Sequence, residues 1–235
     1  DQIIVMGHRI ADVDSFGAAV GIYRAAKVME KKAYIVLNDI TSSVRPFYQA
    51  FCDSVSYPDD MFIKSSEVSG VMTENTMVVV VDTNKPELTE CPELLKMAKT
   101  IVVFDHHRQG NDVIENTILS YIEPYASSAC EMVAEVLQYI ADNIKITSIE
   151  ANSMYAGIMI DTNNFMNRTG VRTFEAAAFL RRCGADITHV RKIFRDDLES
   201  YRVKAEIVGN AEVFHDEYAI AQCTDEKIES PTIIG

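Results

Sequence analysis

The chain has 235 residues and a formal charge of −13, from 35 Asp plus Glu against 22 Lys plus Arg. That acidity, with a pI near 4.8, excludes a general electrostatic attraction to long nucleic acid or to anionic membrane. Hydrophobic residues at 48% and charged residues at 24% describe an ordinary globular chain that can bury a core.

Ile3-Ile-Val-Met6, bounded by Gly7, reads as a buried strand. Phe16 to Glu30 carries a helical pattern with Ala and Gly on a side suited to close packing. Ala33-Tyr-Ile-Val-Leu37 reads as a second strand. Met77-Val-Val-Val-Val81 and Ile101-Val-Val-Phe104 are the clearest strands, apolar throughout and each followed by an aspartate. Ser128-x-x-Glu131 predicts a capping box opening a helix to about Asp142. Ile149 to Ile160 reads as a helix leading into Asp161, and Thr173 to Arg182 as another, with Gly184 just beyond its end. Strands apolar on both faces and alternating with helices predict an α/β fold, a mostly parallel sheet flanked by helices on both faces. The main domain is expected over 1–190, a linker helix over 191–210, and the start of a second α/β domain over 211–235, where Ala211 to Cys223 alternates like a strand. Asp1 leads straight into strand text and the chain stops at Thr232-Ile-Ile-Gly235, which predicts an excised piece of a longer protein.

No apolar run reaches the ~18 residues of a membrane span, and no signal peptide is visible, so no direct membrane contact is expected from this piece. Five scattered cysteines without a C-x-x-C pair suit a reducing cytosol.

Four sites lie at or just beyond the ends of apolar runs: His8 with Asp12 and Asp14, then Asp82, then Asp105-His106-His107, then Asp161. In an open parallel sheet the carboxyl ends of the strands form the crevice where ligands bind, so the first three are expected to converge there. Carboxylates with imidazoles and no thiolate suit a pair of divalent cations, Mn²⁺ above Mg²⁺, Co²⁺ or Zn²⁺. Asp12-x-Asp14 in a tight loop would aim its carboxylates at different cations, and Asp105 suits an outer role, holding an imidazole in its tautomer. An aspartate after a strand is more often a turn former or helix cap; the conjunction of all these sites outweighs that plainer reading.

Gly7-His8-Arg9-Ile10-Ala11-Asp12-Val13-Asp14-Ser15-Phe16-Gly17, Val81-Asp82-Thr83, Asp105-His106-His107-Arg108 and Gly157-Ile-Met-Ile-Asp161-Thr162 resemble, in order, the four motifs of the DHH phosphoesterase superfamily. Ala126-Ser-Ser-Ala-Cys-Glu-Met132, Asp161-Thr-Asn-Asn-Phe165 and Thr169-Gly-Val-Arg172-Thr173-Phe-Glu-Ala176 are most similar to its GdpP-type cyclic di-AMP phosphodiesterases. The resemblance implies that His8, Asp12 and Asp82 hold one cation, and that Asp14, Asp82, His106 and Asp161 hold the other, with Asp82 bridging. His107 would stand beside the substrate phosphate as a catalytic residue with Arg108 near it. The implied reaction is hydrolysis of cyclic di-AMP to linear pApA through a hydroxide activated by two cations. The resemblance leaves room for a short linear dinucleotide as substrate, for an oligoribonuclease or pAp phosphatase of the same superfamily, and for a nucleotide-binding module without catalysis.

Ser127 and Ser128 at a helix N-terminus could receive a phosphate or simply cap the helix. Asn163 and Arg172 could line the substrate pocket, or form a plain turn and a surface ion pair. The superfamily's Gly-Gly-Gly-His loop is absent, so the piece is expected to bind cations yet hydrolyse dinucleotide poorly. Resemblance to the full-length proteins also implies a cytoplasmic domain whose parent is membrane-anchored, and is compatible with a homodimer.

Overall fold

The computed structural model describes residues 2–142, 144–194, 198–215 and 217–221. Valine- and isoleucine-rich runs that are apolar on both faces can satisfy their backbone only inside a covered sheet. Here they form one sheet of six strands: β1 (Gln2–Met6), β2 (Lys32–Val36), β3 (Phe62–Ile63), β4 (Thr76–Val81), β5 (Thr100–Asp105) and β6 (Leu119–Ile122). Their order is β3-β2-β1-β4-β5-β6 and every pairing is parallel. The order reverses direction between β1 and β4, which is the switch point where the carboxyl ends of an open α/β sheet leave a crevice. The α/β expectation therefore holds in this sheet.

The helices are α1 (Val13–Val28), α2 (Arg45–Cys52), α3 (Val68–Val71), α4 (Pro92–Met97), α5 (Ala129–Ile140), α6 (Ser148–Asp161), α7 (Val171–Arg182), α8 (Ile187–Ile193) and α9 (Leu198–Gly209). Helix α1 is buried nearly all round, because it lies between the sheet and the pair α5 and α6. Close approach is set by glycine: a Cβ on Gly157 of α6 would lie 2.6 Å from Cys130 Sγ and 2.9 Å from Asp14 Cα. Arg24 of α1 grips the fully buried Glu150 of α6 through Nε at 2.9 Å and Nη2 at 2.7 Å. On the other face Ile4, Met6, Val78, Val80, Ile101 and Val103 pack with Leu94 of α4.

Several local expectations are corrected. Helix α1 begins at Val13, with Asp12 as its N-cap accepting from Ser15 N at 2.9 Å. Asp14 is thus a first-turn helical residue and shares no free loop with Asp12. Ser128 does cap α5, but Glu131 does not complete the box: its carboxylate accepts from Ser127 Oγ at 2.5 Å and from Thr173 Oγ1 at 2.6 Å, tying α5 to α7. The reciprocal box forms instead at Thr147 and Glu150 of α6.

The chain divides into two compact units, Asp1–Val190 and Arg191–Gly235. In the second, α9 is followed by an antiparallel hairpin of β7 (Glu212–Phe214) and β8 (Tyr218–Ile220). The remainder of the strand text expected to Cys223, and the tail beyond, lies outside the described residues. Among the described residues no helix is long and apolar enough to cross a membrane.

Candidate metal centre

Four backbone segments deliver the acidic and imidazole groups to one point. His8 follows β1 by way of Gly7, where a Cβ would meet Ser15 Oγ; that closeness lets Ser15 Oγ accept from His8 N at 3.3 Å and fold the loop over α1. Asp82 caps the end of β4 in the left-handed region, φ 61°, with its amide donating to Phe104 O at 2.8 Å. Such a conformation is uncommon outside glycine and is held only where the surroundings over-determine it. Asp105 ends β5, His106 and His107 follow it, and Asp161 ends α6.

Asp82 stands at the centre. Its Oδ2 lies 3.4 Å from His8 Nε2, and its Oδ1 lies 3.2 Å from His106 Nε2 and 3.7 Å from His107 Nδ1. His8 Nε2 is also 3.4 Å from Asp12 Oδ1, and His106 Nε2 is 3.4 Å from Asp161 Oδ2 and 3.8 Å from Asp14 Oδ2. Ligand atoms of His8, Asp12 and Asp82 lie within 4.8 Å of one another, as do those of Asp14, His106 and Asp161, and those of Asp82, His106 and His107. All six residues expected to ligate therefore come together, although the most distant are separated by more than half the chain.

The donor chemistry fits divalent cations. Oδ1 of Asp82 is buried yet meets no donor in hydrogen-bonding geometry among the described residues, an arrangement that buried carboxylates avoid unless a cation takes the lone pair. Asp14, fully buried, is fixed by the first amides of α5: Ala129 N to Oδ2 at 2.6 Å and Cys130 N to Oδ1 at 2.9 Å. In the cation-free state the cluster must share protons. Burial raises Asp161 to about 7, helped by the charges of Asp82 and Asp12, and burial likewise lifts Asp14 well above the carboxylate range. Burial opposes the charged form of His8, but Asp12 and Asp82 outweigh it and raise the imidazole to about 10. His106, resisted by burial and drawn upward by Asp82, Asp14 and Asp161, reaches about 9. These are carboxylates and imidazoles held at one place with too little positive charge among them.

Asp105 contacts the second histidine of the pair. Its Oδ1 accepts from His107 N at 3.2 Å and contacts His107 Nδ1 at 2.8 Å. A proton on Nδ1 would be directed at the Asp105 carboxylate, which would leave Nε2 as the nitrogen available for chemistry. The hydrogen bond to Asp105 raises the His107 pKa, and its side chain is 59% exposed. A cleft of about 320 Å³ opens here, lined by His8, Asp82, Asn84, Lys85, His107 and Arg108 among others.

The remaining candidate residues fall elsewhere. Ser127 and Ser128 are buried, their hydroxyls bonded to Glu131 Oε2 and Glu131 N. The α5 amides expected to meet a phosphate are occupied by Asp14, because a buried carboxylate takes the nearest donors. Arg172 does not reach the cleft; it is bonded to Glu135 at 2.6 Å and Tyr121 Oη at 2.9 Å, with Glu123 at 3.6 Å. Asn163 opens a left-handed run with Asn164 and Phe165 just after Asp161, the two asparagines exposed and Phe165 half-buried. Sequence reading missed Asn84, which is buried and donates to Asp105 Oδ2 at 2.5 Å; its place two residues after Asp82 at a strand end was the available signal.

The chain belongs to the DHH family: the model of the DHH family's N-terminal domain matches residues 2–158. It is 39% identical, over 97% of its length, to the cyclic-di-AMP phosphodiesterase GdpP of Bacillus subtilis (strain 168), of which it covers 35%. It is 38% identical, over 100% of its length, to the cyclic-di-AMP phosphodiesterase PdeA of Listeria monocytogenes, of which it covers 36%. The chain thus spans about a third of the length of these curated relatives. Among solved structures, an exopolyphosphatase-related protein from Bacteroides fragilis shares the fold, with a TM-score of 0.74 at 18% identity, over 92% of this chain and 63% of that one.

Proposed function

We propose that this chain carries the catalytic centre of a phosphodiesterase that hydrolyses cyclic di-AMP to linear pApA with two divalent cations, Mn²⁺ foremost. The observation that carries the reading is Asp82: a buried carboxylate, in a left-handed backbone, with one oxygen toward His8 and the other toward His106. One carboxylate facing two separate ligand sets is what a pair of cations sharing a bridge requires. The relatives at 38% and 39% identity, named for cyclic di-AMP, support the substrate.

In this reading His8, Asp12 and Asp82 hold one cation, and Asp14, Asp82, His106 and Asp161 hold the other. Bound there, the pair supplies an acidified water at neutral pH and positive charge for the phosphoryl oxygens. The protein's own groups do the rest. The α5 amides keep the Asp14 carboxylate in one orientation, and Asp105 holds His107 with Nε2 toward the cleft. Protonated His107 donates its Nε2 proton to the departing 3′ oxygen as the phosphorus–oxygen bond breaks, and keeps the Nδ1 proton directed at Asp105. Arg108, beside it in the cleft, steadies the phosphate. Residues 1–190 act as the DHH domain, 191–210 as a linker helix, and 211–235 as the start of the DHH-associated domain.

The test is incubation with Mn²⁺ and cyclic di-AMP, cyclic di-GMP, pApA, pAp or pyrophosphate, with chromatographic separation of products. The reading expects pApA from cyclic di-AMP, abolished by chelation and restored by Mn²⁺. Preference for pApA or pAp over the cyclic compound replaces it with the oligoribonuclease or phosphatase reading.

A further inference from the structure

Asn84 lies two residues after Asp82 at the carboxyl end of β4 and is 4% exposed. Its Nδ2 donates to Asp105 Oδ2 at 2.5 Å and lies 3.5 Å from the carbonyl oxygen of His107. Its backbone carbonyl accepts from Ile114 N at 2.9 Å, which anchors it to the loop that leads to β6. Its Oδ1 is buried and accepts no hydrogen bond among the described residues.

The opposite orientation of the amide would set Oδ1 against the Asp105 carboxylate, two acceptors face to face, so the chemistry of the pair dictates the orientation. Burying an acceptor without a donor is unfavourable. An amide kept here in spite of that penalty does something for Asp105 that an apolar side chain of similar shape cannot. The Asp105 carboxylate is engaged at both ends, Oδ2 by Asn84 and Oδ1 by the His107 ring and amide. Its plane is therefore fixed, and with it the tilt of the imidazole.

We propose that Asn84 is a positioning residue of the hydrolysis, which locks Asp105 and through it keeps a proton on His107 Nδ1, so that Nε2 is the nitrogen presented to the cleft before and after it gives up its own proton. The kinetic arm of this inference rests on the proposed phosphodiesterase reading; the spectroscopic arm does not.

The test is a double-mutant cycle of N84L, H107A and N84L/H107A, scored as kcat with Mn²⁺ and cyclic di-AMP, or with pApA if only that is turned over. N84L is expected to lower kcat about 10- to 100-fold, part of the ~10²–10⁴-fold that a positioned acid supplies. KM and the half-saturating Mn²⁺ concentration stay within about twofold, and adding N84L to H107A brings no further loss, because the two act as one unit. N84S, which retains a donor, recovers part of the rate. Independently, ¹⁵N NMR of the Mg²⁺-loaded chain is expected to find neutral His107 as the Nδ1–H tautomer in wild type and shifted towards Nε2–H in N84L. A loss from N84L that persists undiminished in the H107A background, or a tautomer unchanged in N84L, overturns the inference. If N84L fails to fold, N84A, which also lacks a donor, carries both readouts. Failure of wild type to open cyclic di-AMP removes the proposed substrate and leaves the tautomer measurement to judge Asn84.

Discussion

Gly157→Ala sets two ordinary rules against each other. By helix propensity alone the change is favourable by roughly 1 kcal/mol in the interior of α6. The added Cβ, however, would lie 2.6 Å from Cys130 Sγ and 2.9 Å from both Asp14 Cα and Asp14 Oδ1. None of these neighbours can swing aside. Cys130 is fully buried and its thiol donates to the Asp14 carbonyl oxygen at 3.3 Å, while the Asp14 carboxylate is pinned by two α5 amides. Helix α6 must therefore move away from α1. Overpacking of this kind costs about 1–3 kcal/mol per site, and contact at three atoms puts it at the upper end. The net expectation is a loss of about 1–2 kcal/mol, or a fall in Tm of roughly 2–8 °C for a unit of this size. Because α6 ends at Asp161, the same displacement separates Asp161 from Asp14 and weakens cation binding. Thermal unfolding followed by circular dichroism, with and without Mn²⁺, reads both effects. A variant as stable as wild type, or more so, would refute the packing argument; unchanged Mn²⁺-dependent stabilisation would refute the link from helix spacing to the cation site.

Cation affinity should rise with pH. In the cation-free chain His8 and His106 are raised from 6.5 to about 10 and about 9, so both carry protons at neutrality that must leave before ligation. Their contribution to cation-free stability is complete below about 6.5 and is lost as pH rises through about 9 to 10. Asp161, raised from 3.8 to about 7, works in the same direction between those values. Calorimetry of Mn²⁺ binding in buffers of different ionisation enthalpy should detect on the order of two or more protons released once both cations are bound; an affinity flat between pH 6 and 8 contradicts this. Glu150→Gln leaves the Arg24 guanidinium without its carboxylate in a mostly buried setting, and should reduce stability by about 2–4 kcal/mol in urea unfolding, the range for a broken buried pair discounted for the exposure of Arg24. A change below about 0.5 kcal/mol would assign that bridge to the class of exposed pairs.

The sheet was legible where both faces are covered. Ile3–Met6, Ala33–Leu37, Met77–Val81 and Ile101–Phe104 announce themselves because a buried parallel strand admits no polar side. Strand β6 did not, since Leu119 and Ser120 are exposed at the sheet edge, and β3 has only two residues. Asp82 and the three groups around it were visible as residue types at strand and helix ends; the meeting of those at the strand ends was inferred from topology, and that of Asp161 only from resemblance. The helix start at Val13 was missed because Asp12 serves as cap and candidate ligand at once. Side-chain partners across long separations were not legible at all: Glu131 leaves its capping box for Ser127 and Thr173, Arg172 pairs with Glu135, and Asn84 reaches Asp105, each decided by burial that only the packed helices create.

Two cations sharing Asp82 stand at the centre of the proposed chemistry. Electron paramagnetic resonance of the Mn²⁺-titrated chain measures that directly, since two ions bridged by one carboxylate couple magnetically whereas separate ions do not. The expected result is saturation at two Mn²⁺ per chain with a coupled signal, lost in Asp82→Asn with the protein still folded. A single uncoupled ion in wild type, or a coupled pair that survives Asp82→Asn, would show that Asp82 does not bridge two cations.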